Sequence, residues 1–145
     1  MWQRVQTLYL ATATIMLALL FFNDKAVIVA GDGSISESIK FISYIPYLVL
    51  IIIATGLNLL ALFSYKIRVF QMRTAALAAI FCVALQIWLL VDFLVTKDEM
   101  VFRVSAIFPL LASILDVLAA KAIYADQVLV ESAYHLRKSR HERRK

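Results

Sequence analysis

Four apolar runs divide the chain, at about 5–22, 41–65, 74–96 and 104–124. The third contains AALAAIFCVALQIWLLV, residues 75–91, in which Gln86 is the only strongly polar side chain. A helix of a water-soluble protein carries a polar face along its length; these runs are apolar all round. A helix rises about 1.5 Å per residue, so about 20 apolar residues cross some 30 Å of hydrocarbon. The pattern predicts an all-α membrane protein, an antiparallel bundle of four transmembrane helices. Pro46 and Pro109 stand near the starts of the second and fourth runs, where a missing N–H costs least.

The segments between the runs are polar and mostly short. The longest, NDKAVIVAGDGSISESIK at 23–40, starts with a β-prone stretch over 26–30. Gly31, Asp32 and Gly33 form a turn signal, and an alternating stretch follows with Ser34, Ser36 and Ser38 on one face. This predicts a small β-hairpin. Two strands alone are marginal in water, so the hairpin needs the helix ends or a partner to rest on. KIRVFQMR and KDEMVFR read as the two remaining links. The tail, 125–145, continues as a helix with Leu129, Val130, Ala133 and Leu136 on one side. The first run could pass for a secretory signal. However, NDKAVIVA is long and charged for a processing region, so the run is read as a retained span with Trp2 and Arg4 as interfacial anchors.

Composition agrees with the pattern: 63% of the 145 residues are hydrophobic, against about half in a soluble domain. Four spans leave no room for a second globular domain, so the chain is one transmembrane unit. With one cysteine, Cys82, inside a span, an intramolecular disulfide or dithiol relay is excluded. The net charge of +5 comes mainly from the tail cations Arg137, Lys138, Arg140, Arg143, Arg144 and Lys145. Positive charge stays on the cytoplasmic side. With both termini inside, that side receives these six together with Arg4, Lys66, Arg68, Arg73 and Lys121. Only Lys25, Lys40, Lys97 and Arg103 fall outside. The expected arrangement has cytoplasmic N- and C-termini, an outward hairpin and an amphipathic basic tail on the anionic inner leaflet. No stacking platform or nucleic-acid-binding motif accompanies the tail cations, so sequence-specific DNA binding is not expected; a ribosome contact is the rival reading of the tail.

Polar residues within the spans are the candidate site. Gln86 falls at about the depth of Asp116 and Asn58 somewhat closer to the inside, and the three are expected to meet in the bundle centre. There Asp116 serves either as a hydrogen-bonded structural link or as a proton or cation site. Lys121, five residues from Asp116, does not share its helix face. Asp92 lies about one turn from the outer surface and is expected to reach the interface or pair with Lys97 or Arg103. Small residues supply close helix approach: Thr7 with Ala11, Thr14 with Ala18, then Ala54, Gly56 and Ala61, Ala75 with Ala79, and Ala112, Asp116 and Ala120.

Catalytic chemistry is not expected. The chain has no serine–histidine–acid set, cysteine–histidine pair, glycine-rich phosphate loop or metal-ligand spacing, and His135 and His141 are six apart. Neither catalytic, cofactor-binding nor metal-binding residues are assigned. The expected role is a non-enzymatic accessory or scaffolding subunit packed against a larger membrane protein. The alternatives are a small oligomeric transporter or channel using Asp116, and a membrane anchor whose tail contacts ribosomes.

Two stretches carry a family resemblance: WQRVQTLYLATATIMLAL at 2–19 and VFRVSAIFPLLASILDVLAAKAIYADQVLVESAYHLR at 101–137. They are most similar at Gln3-Arg4-Val5-Gln6, at Phe102-Arg103 with Pro109, and from Asp126 to Arg137. The chain resembles an uncharacterised family of bacterial four-helix inner-membrane proteins, classed as a domain of unknown function. The resemblance implies four spans and an inner-membrane location, and brings no catalytic residue or ligand. The short connection after Phe22 leaves little for an external domain to do.

Overall fold

The structure, a computed structural model, describes residues 2–29, 33–96 and 100–142, and the side chains of 5–29, 33–96 and 100–134. Four helices and a small sheet make up the chain: α1 (Trp2–Leu19), β1 (Asp24–Val29), β2 (Ile35–Lys40), α2 (Ile45–Phe63), α3 (Arg68–Thr96), β3 (Val101–Phe102) and α4 (Phe108–Glu142). Single 3₁₀ turns, Phe41–Ser43 and Val104–Ile107, lead into α2 and α4. Three helical stretches, Ile45–Phe63, Arg68–Thr96 and Val104–Tyr134, are long and apolar enough to cross a membrane. The apolar part of α1, Val5–Leu19, is shorter, about 22 Å at 1.5 Å per residue.

The expected boundaries shift for identifiable reasons. α1 stops at Leu19 rather than 22, because the chain tightens there into bonds from the N–H groups of Leu20, Phe21 and Phe22 to carbonyls three residues back. Asn23 then covers the Leu19 carbonyl with both its backbone N–H and its side-chain amide, at 3.1 and 2.9 Å, which satisfies an end group that the helix leaves open. Most of KIRVFQMR is helix rather than link, since α3 already starts at Arg68. That stretch has no proline or glycine to oppose helix formation. α4 runs without interruption into the tail as far as Glu142. Of the tail cations, Arg143, Arg144 and Lys145 lie outside the described residues, and Arg137, Lys138 and Arg140 are described in backbone only.

The hairpin forms as expected, and Gly33 takes the left-handed φ of +82° that its turn requires; Gly31 and Asp32 lie outside the described residues. The sheet has a third strand that the sequence reading did not assign. β3 pairs antiparallel with β1, giving the order β2-β1-β3. Two residues that follow a charged link carry too little pattern to announce a strand. Asp24 faces Lys40 while Ala26 faces Ile39, so Lys25 is an extra residue, a bulge in β1. Bulges turn a side chain away from its ordinary face, and this one presents Lys25 to the helix ends, where it is buried.

The helices pack in antiparallel order, with α4 against both α1 and α3, and α2 against α3. Their buried surface separates into two apolar clusters. One, near the sheet, contains Leu17, Phe41, Tyr47, Ile51, Ala54, Cys82, Leu85, Leu89 and Ala112. The other, towards the tail, contains Leu10, Ala61, Ala75 and Ala119. Apolar side chains also cover the outside of the helices: Ile80 is 63% and Leu94 60% exposed.

Candidate functional site

Asn58 and Asp116 sit at the boundary between the two apolar clusters. On α2, Asn58 lies between Ala54 of one cluster and Ala61 of the other. On α4, Asp116 lies between Ala112 and Ala119 in the same way. Alanines one turn to either side keep the two backbones close, so short polar side chains can meet. The Asn58 amide donates from Nδ2 to Asp116 Oδ2 at 3.1 Å. Cys82 on α3 is the third member, its thiol donating a long contact of 3.9 Å to the same oxygen. All three residues are completely buried. Asp116 Oδ1, Asn58 Oδ1 and Thr55 Oγ1, one turn from Asn58 on α2, have no hydrogen-bond partner among the described residues.

The structure thus brings Asn58 and Asp116 together, as the spacing implied, and corrects the third member. Gln86 is one turn beyond Cys82 on α3, half-buried. It lines a separate groove with Leu89, Phe93, Phe102 and Arg103. Its Oε1 has no partner among the described residues. Depth alone placed Gln86 beside Asp116; the helix face decided otherwise. A thiol between Phe81 and Val83 gives no polar signal in a sequence, which is why Cys82 was assigned no part in the cluster.

Asp92 is the second correction. It pairs with Lys25, 67 residues away, at 2.5 Å. Tyr47 donates its hydroxyl to the same carboxylate oxygen at 3.1 Å. The Lys25 ammonium lies 5.2 Å from the Tyr47 ring centre and 5.6 Å from that of Phe102, within cation–π range. Arg103 instead approaches Asp24, at 3.9 Å, and Lys97 lies outside the described residues. Ser105 donates to the Asp24 carbonyl at 2.6 Å, and the Arg103 N–H donates to the Lys25 carbonyl at 2.9 Å. The carboxylate of Asp92 on α3, the Tyr47 ring on α2 and the bonds from Arg103 and Ser105 just before α4 therefore converge on the first two residues of β1 and seat the sheet on the helix ends. Sequence reasoning missed the pair because it depends on the bulge; the one available signal was a lysine in an apolar strand.

The tail end of the bundle has its own polar ties. Gln6 on α1 donates to the Ala122 carbonyl of α4 at 3.0 Å. The Arg68 guanidinium of α3 lies 2.9 Å from Asp126 of α4. Among the described residues, no group of three or more His, Cys, Asp or Glu side chains is placed to hold a metal ion. What the bundle contains is a sealed polar link in its middle and a lock at each end.

No curated protein and no solved structure matches this chain. A family model does, over residues 2–136, and the chain belongs to that family, a domain of unknown function (DUF4293).

Proposed function

We propose that the chain is an integral protein of the bacterial inner membrane, a four-helix transmembrane bundle with both termini in the cytoplasm and the sheet outside. Three helical stretches long and apolar enough to span support this reading. So do the apolar side chains on the outside of the bundle, which water would not tolerate in such a number. The excess of Lys and Arg at the tail end of the bundle supports the orientation. At about 1.5 Å per residue, the 35 residues of α4 extend some 50 Å, about 20 Å more than the hydrocarbon needs. The excess projects from the hydrocarbon on the cytoplasmic side as a direct continuation of α4 and carries the basic tail with it.

Its role is that of a non-enzymatic accessory or scaffolding subunit, packed against a larger membrane protein. The observation that supports this over a transport role is the burial of Asp116: a carboxyl with zero exposure, in contact with Asn58 and Cys82, suits a structural link between helices. Crosslinking in living cells, followed by mild solubilisation and sizing, tests it. A discrete species larger than the chain and its homo-oligomers supports the reading, and a chain that always emerges alone overturns it.

One observation favours a second reading, a small oligomeric proton or solute transporter. Three oxygens without a partner among the described residues, on Asp116, Asn58 and Thr55, are buried in the same part of the bundle, and buried ionisable groups in spans commonly mark a transport path. Flux through reconstituted vesicles that disappears in Asp116→Asn, with folding intact, would replace the scaffold reading by this one.

A further inference from the structure

Between α3 and α4 the bundle surface opens into an apolar groove of about 410 Å³. Its floor is made of Ala76, Ala79, Ser113 and Ala120, and its rails of Ile80, Val83 and Val117. Lys121 also lines the groove, at the end towards the tail. The Cys82–Asp116 and Arg68–Asp126 contacts fix the antiparallel register of the two helices. In that register Arg73 lies within a turn of the level of Lys121. It also continues the stripe of Ala76, Ile80 and Val83 by helical spacing, as Tyr124 continues the stripe of Val117 and Lys121. Arg73, Lys121 and Tyr124 are all exposed.

These two cations differ from Lys25, Arg68 and Arg103, each of which has an acidic neighbour. Arg73 and Lys121 make no ion pair with a described residue. The carboxylate closest in register, Asp126, is taken by Arg68. A pair of cations without a described acidic partner, together with a tyrosine hydroxyl, therefore stands at one end of the apolar groove. The charge calls for an anion and the channel for a hydrocarbon chain. Basic pockets between spans on the cytoplasmic side suit anionic lipid head groups.

We propose that this groove is a binding site for one anionic phospholipid of the inner leaflet. An acyl chain lies along Ala76, Ala79, Ile80 and Val117, and the phosphate sits between Arg73 and Lys121, within reach of the Tyr124 hydroxyl. The proposal rests on the membrane orientation above and is independent of whether the chain is a subunit or a transporter. It gives the protein a preference among lipids. It also gives α3 and α4 a common ligand along the seam beside the faces they turn to the core.

The test is native mass spectrometry of the full chain released from mixed micelles. Palmitoyl-oleoyl phosphatidylglycerol and phosphatidylcholine serve as probes. Two surface cations favour the anionic lipid by about tenfold or more, so retention of phosphatidylglycerol should exceed that of phosphatidylcholine by this factor. Arg73→Gln with Lys121→Gln should bring the ratio to about one. Val117→Phe, which fills the channel and leaves both cations, should reduce retention of both lipids. All three residues are exposed, so the variants should fold. Equal retention by the unaltered protein overturns the proposal, as does a preference that survives the double substitution. Displacement by glycerol phosphate alone would mean a head-group contact without a seated chain, and also overturns it. Dimerisation of the unaltered chain that Val117→Phe abolishes while lipid is kept would assign the groove to a second copy of the chain and overturn the proposal. Recovery of the protein from the aqueous fraction without detergent would strike the membrane reading itself, which is a separate outcome.

Discussion

Replacing Lys25 by methionine should detach the sheet from the helices. The side chains of Lys25 and Asp92 are 9% and 27% exposed, so the pair is neither superficial nor fully dry. Exposed pairs contribute about 0–1 kcal/mol, and removing one partner of a buried pair costs about 3–5 kcal/mol. The intermediate burial sets the expected cost near 2 kcal/mol. Methionine keeps the apolar stem against Tyr47 and Phe102, so the loss reports mainly on the charge and its cation–π contacts, the latter about 0.5–1 kcal/mol each. Asp92→Leu alone should cost a similar amount, since it leaves a buried ammonium. The double substitution Lys25→Met with Asp92→Leu should cost clearly less than the two singles together, by a coupling of about 1–2 kcal/mol. Equilibrium unfolding in mixed micelles, followed by helical circular dichroism and by Trp88 fluorescence, measures all four corners of the cycle. Trp88 is 6.0 Å from the Tyr47 ring, so in a Trp2→Phe background its emission reads the local site while circular dichroism reads the bundle. Strict additivity of the two singles would refute the lock, and with it the role given to the bulge at Lys25.

Further expectations concern the bundle and its orientation. Asn58→Ala removes the donor to Asp116 and opens space between two apolar clusters, so it should destabilise the bundle by about 2 kcal/mol in the same unfolding assay. Asp116→Asn keeps a hydrogen-bonding group of the same size and should stay within about 1 kcal/mol of the unaltered protein; a larger loss than in Asn58→Ala would count against a structural link. Gln86→Leu should raise stability by about 1 kcal/mol, because it removes a buried oxygen without a partner, and a lowered midpoint would show that the amide is in use. In a Cys82→Ala background, Ser38→Cys should react with an impermeant thiol reagent added to intact cells, whereas Ser132→Cys should react only after permeabilisation; the reverse pattern would invert the orientation. Gln6→Leu should loosen α1 from α4 by about 1 kcal/mol, visible as faster hydrogen exchange across Val5–Leu19.

Much of the architecture is a matter of composition along the chain. An apolar stretch of 18 or more residues with at most two charges has few places to go except hydrocarbon or a large core, so the second, third and fourth helices were legible from the apolar runs alone. The turn at Gly33 declared the hairpin, because left-handed backbone favours glycine. The contact of Asn58 with Asp116 was legible too, since the few polar groups inside an apolar bundle have few other partners. What the sequence did not contain was the direction of each side chain about its helix and the register of each strand. Gln86 and Asp116 share a depth but not a face. Lys25 reaches Asp92 across 67 residues only because one extra residue in β1 turns it inward. β3 exists only because β1 offers it a free edge. Apolar runs and turn residues act locally and can be read locally; helix rotation, the bulge and the third strand are set by contacts between distant segments, and only the packed structure could decide them.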